Sequence, residues 1–470
     1  MHTVTVKKTE KKLLSDQLID SGVDLDVRCG GRGTCGRCQV KLIAGTWEVD
    51  GKEVLAPVTA LACRTVLLSD VGEVDIPDTA IAGKRGKIST EWQISKRLKQ
   101  TPDPVIAVDL GTTTMVAIKI INGEVVGRAS GFNPQRVYGD NVITRISYAA
   151  EGKLEEMRRT TVNAIRGLME ELGTAGVKRA VVSGNTVMSS ILHGINPEPI
   201  GVIPFTPIAR HFPVDDDISG KFPTISIPAI SGYVGSDLTA GYGVIDIMPG
   251  EMLIDIGTNC EIIYSTPDGV FCTAAAAGPA FEGAGLSCGC RAIDGAMDHV
   301  YDDGTYSIIG NGRPDPIGLC GSAFIDFIAV NRKAGVINMV GRYESGEKEV
   351  FVSKNLSVTE KDIEQILKAK AAVYAGITTL EKHCGHTAGK IYLAGGFAQY
   401  LNLENAFAIG MLPERRYEIA GNTSLAGAAY LACNPEFMQE LEKLADVPKE
   451  VQLNTLPGFE DNYIDGLMLP

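Results

Sequence analysis

The 470-residue chain has no run of about 18 apolar residues, the length a helix needs to span a bilayer. Its opening, Met1-His2-Thr3-Val4-Thr5-Val6-Lys7-Lys8, lacks the apolar core of a signal peptide. Both absences predict a cytoplasmic protein with no membrane partner. Positive charge is short as well: 44 Lys and Arg stand against 57 Asp and Glu, a formal net charge of −13. Phosphate-rich polymers repel such a chain, so no nucleic acid is expected as a partner. Cysteine is present at 11 residues, but an odd number, four of them within the first 63 residues, is no secreted disulfide framework. A Walker A string is missing, and no G-x-G-x-x-G opens a helix after a strand, which removes the P-loop and dinucleotide motifs.

Glycine is plentiful, at 53 residues, and implies many tight turns. At about 150 residues per domain the length allows roughly three domains, and a mean hydropathy of +0.07 fits a globular chain. Residues 1–78 read as a β-rich module: Thr3–Val6, Gln39–Ile43 and Glu73–Ile76 alternate like strands, and Leu13, Leu14, Leu18 and Ile19 have helical spacing before Gly22. Residues 79–103 read as a basic linker: from Lys84 to Lys99, Lys84, Arg85, Lys87, Lys96, Arg97 and Lys99 stand against Glu91 alone. Read as a solvated hinge, it also offers a docking strip for an acidic partner.

From residue 104 the pattern is α/β, with short apolar strands and helical stretches at 153–172, 361–384 and 402–410. A weak repeat runs through it. Val105-Ile106-Ala107-Val108-Asp109-Leu110-Gly111-Thr112-Thr113 parallels Glu251-Met252-Leu253-Ile254-Asp255-Ile256-Gly257-Thr258-Asn259, and the turn at Asn122-Gly123 parallels that at Asp268-Gly269. Two lobes, 104–245 and 246–434, with a cleft between them are expected. Residues 435–470 carry eight acidic side chains and two lysines and read as a peripheral helix and tail.

Cys29, Cys35, Cys38 and Cys63 supply four thiolates in a glycine-rich segment. The [2Fe–2S] spacing C-x4-C-x2-C with a distant fourth Cys differs here by one residue in the first gap. Glycines let backbone wrap a bulky anionic cluster, and Arg32 and Arg37 add positive charge beside it. A four-cysteine zinc site usually pairs two C-x2-C knuckles, and only Cys35 and Cys38 form one. Unliganded structural cysteines are the remaining alternative. The segment resembles the [2Fe–2S] ferredoxin domain, a β-grasp fold.

Each Asp-x-Gly-Thr turn lets glycine bring amides and threonine hydroxyls to phosphate oxygens. Its Asp can hold a Mg²⁺-bound water or orient the attacking one. A third element, Ile391-Tyr392-Leu393-Ala394-Gly395-Gly396, is a strand running into bare backbone against which a nucleoside can lie. Together the three resemble the phosphate-1, phosphate-2 and adenosine motifs of the actin-like ATPases (actin, heat-shock chaperones, sugar kinases), built from two ribonuclease-H-like lobes.

Further strings narrow this: Asn133-Pro134-Gln135 with Gly139-Asp140, Ser183-Gly184-Asn185-Thr186, Pro204-Phe205-Thr206-Pro207, Gly232-Tyr233-Val234-Gly235-Ser236-Asp237, Ala277-Gly278-Pro279-Ala280-Phe281-Glu282-Gly283 and Gly318-Leu319-Cys320-Gly321-Ser322. With the cysteine module they resemble the reductive activators of corrinoid proteins. Members of that family often carry a longer region between the two parts. The resemblance implies a [2Fe–2S] cluster on Cys29, Cys35, Cys38 and Cys63, with ATP and Mg²⁺ as the other cofactors. ATP would meet Gly111, Thr112, Thr113, Gly257, Thr258, Asn259, Gly395 and Gly396, with Asp109 and Asp255 catalytic. Asp237 reads as a catalytic or metal-orienting residue, or as a helix N-cap. Gly321 and Ser322 read as an anion site at a helix start, or as a cap. The implied function is ATP-dependent return of cobalt(II) to cobalt(I) in a corrinoid protein of a methyltransferase system, fed by a low-potential electron donor. A homodimer is left open. Two alternatives stand beside it: an activator of 2-hydroxyacyl-CoA dehydratases, of which Cys272 is a faint echo, and a small-molecule kinase with a fused ferredoxin.

Overall fold

The computed structural model describes residues 2–9, 12–23, 25–27, 31, 33, 36–77, 80, 90–139, 141–310 and 315–470. The chain divides into two units, Met1–Gly86 with Pro134–Asp140, and Lys87–Asn133 with Asn141–Pro470.

In the first unit β1 (His2–Lys7), α1 (Leu14–Asp20), β2 (Gln39–Ala44), β3 (Thr46–Val49), β4 (Lys52–Leu55), β5 (Val58–Leu61), β6 (Thr65–Leu67) and β7 (Val71–Ile76) form two small sheets, ordered β1-β7-β2-β5 and β4-β3-β6. Every pairing in them is antiparallel. Along β7, Gly72, Val74 and Ile76 point inward while Val71 and Glu73 point out, the period-2 pattern of a half-buried strand. Leu14, Leu18, Leu42, Trp47, Leu67 and Ile76 fill the core, and the Trp47 indole N–H donates to the Ala44 carbonyl at 3.1 Å. α1 closes at Ser21, with Gly22 at φ 89° just beyond. The sequence reading assigns Pro134–Asp140 to the first ATPase lobe, whereas these residues group with the first unit, where Val137 packs on the core.

The second unit holds two sheets of related design. β8 (Val105–Leu110), β9 (Thr114–Ile121), β10 (Glu124–Phe132), β11 (Ala180–Gly184) and β12 (Thr224–Ser226) lie in the order β10-β9-β8-β11-β12. Between them run α2 (Val142–Tyr148), α3 (Leu154–Leu172), α4 (Thr186–Leu192) and α5 (Asp216–Ser219), and α6 (Ser236–Val244) follows. The second sheet starts with β13 (Glu251–Ile256), β14 (Cys260–Thr266) and β15 (Gly269–Ala275). The smaller pieces β16 (Ala296–Val300), β17 (Tyr306–Ile308), β18 (Gly318–Leu319), α7 (Gly321–Lys333), β19 (Glu349–Ser353) and β20 (Leu356–Thr359) come next. Then α8 (Glu360–Cys384), β21 (Lys390–Ala394), α9 (Leu403–Ala408), β22 (Arg416–Gly421), α10 (Thr423–Cys433), α11 (Met438–Asp446), β23 (Lys449–Glu450) and α12 (Phe459–Leu467) complete the chain.

The second sheet is ordered β22-β21-β13-β14-β15-β23. In both sheets an antiparallel meander of three strands is extended by parallel strands beside the first, an arrangement of strands 3-2-1-4-5 in each lobe. The internal repeat seen in the sequence is this duplicated meander. β8 and β13 are apolar on both faces because each is a central strand with a parallel neighbour. α3 buries Met157, Thr161, Val162, Ile165 and Met169 along one stripe and stops at Gly173, φ 75°. α8 opens on a capping box in which Thr359 and Asp362 satisfy each other's backbone N–H, and closes on left-handed Gly385.

Two stretches differ from their sequence reading. The described part of the basic linker is strapped onto the second unit, with Trp92, Ile94 and Leu98 packed on its core. Lys96 donates to the Gly243 carbonyl at 2.7 Å and pairs with Glu440, and Lys99 pairs with Glu436 at 2.7 Å. Lys84, Arg85 and Lys87 lie outside the described residues. The C-terminal stretch is built in rather than peripheral, because its apolar residues are core: Leu441, Val451, Leu453 and Leu469 are buried, and β23 pairs with β15. Among the described residues, no helix is long and apolar enough to cross a membrane.

Candidate functional site

Cys38 and Cys63 are brought together by the β2–β5 pairing and the turn after β5: the Ala62 N–H donates to the Cys38 carbonyl at 2.9 Å. Their sulfurs lie 3.3 Å apart and both residues are buried. A disulfide would hold them at about 2.05 Å, so these are two separate thiols facing one point. That donor pair fits an iron–sulfur ligand set. Cys29, Cys35 and Arg32 lie outside the described residues.

The first Asp-x-Gly-Thr turn follows β8. Its three carbonyls are pinned from within: Asn133 Nδ2 donates to the Gly111 oxygen at 2.8 Å, Arg145 to the Thr112 oxygen at 2.6 Å and the Asn133 amide to the Thr113 oxygen at 2.8 Å. Asn185, the N-cap of α4, donates from Nδ2 to the Thr112 hydroxyl at 2.8 Å. A Cβ at Gly111 would lie 2.6 Å from the Thr114 carbonyl, so the turn requires glycine. The second turn, after β13, is closed by the Gly257 N–H on the Asn259 carbonyl at 2.9 Å, and the Gly278 N–H holds the Thr258 carbonyl at 3.0 Å. Gly395, at φ 94°, follows β21; a Cβ there would lie 2.6 Å from Asp255 Oδ1. The second and third motifs therefore meet at Asp255.

Four carboxylates gather at these strand ends. Asp109 accepts from Asn422 Nδ2 at 2.9 Å and from the Ser424 hydroxyl at 2.8 Å. Burial still raises its pKa against those two bonds. Asp237 is not an N-cap: Gly235 caps α6, and Asp237 sits in the first turn with Oδ1 accepting from the Leu238 N–H at 2.9 Å. Burial, with Asp109 adding to it, pushes Asp237 up to about 7. Burial and the nearby charges of Asp237 and Asp109 push Asp255 up to about 8. Glu261, directly opposite Asp255 in the β13–β14 register, is buried, has no hydrogen-bond partner for Oε1, and is raised by burial and by Asp237 and Asp255. Among the described residues, the groups acting on these carboxylates are hydrogen-bond donors and one another.

A cation fits such a set, because buried like charges repel unless a counter-charge enters. Among the described residues no three His, Cys, Asp or Glu side chains converge into a metal cage. Mg²⁺ needs none, being held through one or two carboxylates, water and phosphate.

Gly321 and Ser322 open α7 behind Cys320, its N-cap residue. The Ser322 hydroxyl donates to the Asp298 carbonyl at 2.7 Å and makes no cap. Cys272 is fully buried in the core. Sequence reasoning left out Arg145, Glu261, Asn422 and Ser424 as site residues and took Glu282 only as part of a string. For Glu261 a signal was present, an acidic residue in an otherwise apolar strand.

Duplicated ribonuclease-H-like lobes with two Asp-x-Gly-Thr turns, joined in one chain to a cysteine-bearing β module, define an actin-like ATPase fused to a ferredoxin domain. Residues 2–68 match the 2Fe-2S iron-sulfur cluster binding domain, 105–248 the RACo middle region and 250–470 the C-terminal domain of RACo, the ASKHA domain. The chain belongs to the RACo family, whose two regions span most of its length. It is similar to the corrinoid activation enzyme RamQ of Eubacterium limosum, 26% identical over 577 residues that cover 98% of this chain and 96% of that one. It also resembles the Co(II) methylated amine-specific corrinoid protein reductase of Methanosarcina barkeri, 28% identical over 376 residues and 69% of each chain. A solved structure of a reductive activator for corrinoid, iron-sulfur protein shares the fold, with a TM-score of 0.71, 24% identity, and coverage of 99% of this chain and 96% of that one.

Proposed function

We propose that the chain is an ATP-dependent reductive activator that passes one electron from a [2Fe–2S] cluster to cobalt(II) of a corrinoid protein, restoring cobalt(I). The observation that carries this is the joining of the Cys38–Cys63 thiol pair to a nucleotide-type site in one chain. RamQ and the Methanosarcina reductase, both named for corrinoid proteins, support the partner class. When bound by Cys29, Cys35, Cys38 and Cys63, the cluster supplies a one-electron carrier. Plant-type centres lie near −400 mV, and each 100 mV uphill is about 2.3 kcal/mol per electron, within reach of ATP.

The chain's own residues supply the nucleotide chemistry. Asn133, Arg145 and Asn185 hold the first turn rigid, so that Gly111, Thr112 and Thr113 meet phosphate in one fixed arrangement. Asn422 and Ser424 aim the Asp109 carboxylate, and Asp109 and Asp255 would hold Mg²⁺ through water and phosphate oxygens. Bare backbone at Gly395 and Gly396 admits the nucleoside. Lobe movement on hydrolysis changes affinity for the partner, in the manner of ligand-shifted populations. This reading takes the activator to be cytoplasmic.

The dehydratase-activator alternative is less well supported, because Cys272 is buried in the core rather than offered to a cluster. The test is spectroscopic: reduced protein is mixed with a cobalt(II) corrinoid protein with and without MgATP, and the cobalt(I) band is followed. ATP-dependent cobalt(I) is expected; its failure to appear with several candidate corrinoid proteins would refute the reading.

A further inference from the structure

Glu282 ends a short 3₁₀ turn, Pro279–Glu282, and its two carboxylate oxygens reach two different phosphate turns. Oε2 accepts from the Thr113 hydroxyl at 2.7 Å and Oε1 from the Thr258 hydroxyl at 2.9 Å. One carboxylate thus ties the turn after β8 to the turn after β13. A threonine hydroxyl has a single proton to donate, so while Glu282 takes both, neither is available to a phosphate oxygen. Its charge has the same sign as the phosphates that must come there.

The segment bearing Glu282 is held closely on other sides. Gly278 and Gly283 flank it at φ 74° and 75°, and a Cβ at Gly283 would lie 2.1 Å from the Cys290 carbonyl oxygen. The Phe281 ring stacks on Phe397, the residue after Gly396, with centroids 4.6 Å apart at 12°. A Cβ at Gly321, the first residue of α7, would lie 2.0 Å from the Phe281 carbonyl oxygen. Any displacement of Glu282 is therefore transmitted to the end of the nucleoside strand and to the start of α7.

We propose that Glu282 is the resident anion of the nucleotide-free site: it holds Thr113 and Thr258 in place of phosphate oxygens, and a bound nucleoside di- or triphosphate displaces it and loosens Gly278–Gly283. The inference rests on the reading of the two turns as phosphate-binding and deepens it by naming the group that competes with the ligand. Electrostatic competition of this kind makes an affinity prediction. Removing the charge in Glu282→Gln strengthens MgADP binding by about tenfold, since like charges brought together oppose binding. Glu282→Ala does the same without offering any acceptor to the threonines.

The experiment is calorimetric titration of the cluster-loaded full-length protein, and of both variants, with MgADP and with the nonhydrolysed MgADPNP. It is paired with hydrogen exchange on the wild type, which needs no variant to fold. Expected are tighter binding in both variants, faster exchange at 278–284 when MgADP binds, and slower exchange at 109–114 and 255–260. Unchanged or weaker binding in the variants, or protection of 278–284 by nucleotide, overturns the inference alone. Failure of the wild type to bind nucleotide overturns the phosphate-turn reading and the inference with it.

Discussion

On the proposed function, Cys38 and Asp255 serve separable chemistries, one in each unit. A Cys38→Ser variant is expected to lose the visible absorption of the cluster and keep nucleotide binding, because the described residues of the first unit form a core of their own. Asp255→Asn is expected to keep that absorption and lose ATP turnover by a factor of about 10² or more, the scale of removing one group from a preorganised site. Absorption spectra and phosphate release measured on both proteins check the pair; loss of both properties in either variant counts against it. Lys370 shows a different residue-scale effect. It is fully buried on α8, its ammonium donates to the Met468 carbonyl at 2.6 Å, and burial pushes its pKa down to about 7. The unfolded chain holds that proton up to about pH 10.4. Between pH 7 and that value the unfolded state therefore binds more protons than the folded one, and stability rises with pH. Denaturant midpoints measured from pH 7 to 10 are expected to climb more steeply in the wild type than in Lys370→Met, where this contribution is gone. Parallel curves would show that Lys370 is already charged in the fold.

At the level of elements, the strands and long helices were legible because their signals are local. The meander β8–β9–β10 and its repeat β13–β14–β15 each follow an apolar run, an Asp-x-Gly-Thr turn and a polar hairpin, and α3 and α8 are bounded by Gly173 and by the Thr359 cap. The partners of the Asp109 carboxylate were not legible. Asn422 and Ser424 stand 313 and 315 residues away, and only the packing of α10 beside β8 unites them. Glu282 was hidden for the same reason, since its contact with Thr113 joins residues 169 apart in sequence. The α8 cap makes a prediction at this scale. Thr359→Ala removes one acceptor of a capping box and is expected to cost about 1 kcal/mol. Asp362→Ala should cost more, because the same carboxylate also takes the Ser287 N–H and hydroxyl and so anchors the loop beyond Phe281 to the helix start. Urea midpoints check the order; an equal loss in the two variants would mean that the Ser287 bonds contribute nothing.

Across the whole molecule, the net charge of −13 is distributed in a way that composition conceals. Lys96 and Lys99, two of the three basic residues in the described part of the linker, are neutralised by Glu436, Glu440 and Asp246. The strap from Glu91 onward is also hydrogen-bonded to β22, through the Gln93 N–H on the Ala420 carbonyl and the Asn422 N–H on the Glu91 carbonyl, both at 2.9 Å. Asn422 in turn holds Asp109, so the strap is part of the nucleotide unit rather than a tether to it. The boundary that matters for folding then lies ahead of the strap. A chain of residues 87–470 keeps every buried residue of the second unit's three cores, and it is expected to fold and bind nucleotide without a visible chromophore. Cutting behind the strap, at residue 104, removes Trp92, Ile94 and Leu98 from one of those cores. Burial of large apolar side chains is worth about 1.5–3 kcal/mol each, and half-burial less, so the shorter chain should melt well below the longer one. Residues 1–86 alone lack Val137 and should be less stable than the same module in the full chain. Thermal melts of the three fragments beside the intact protein check this, and equal melting temperatures for the chains beginning at 87 and at 104 would show that the strap adds nothing to the unit it covers.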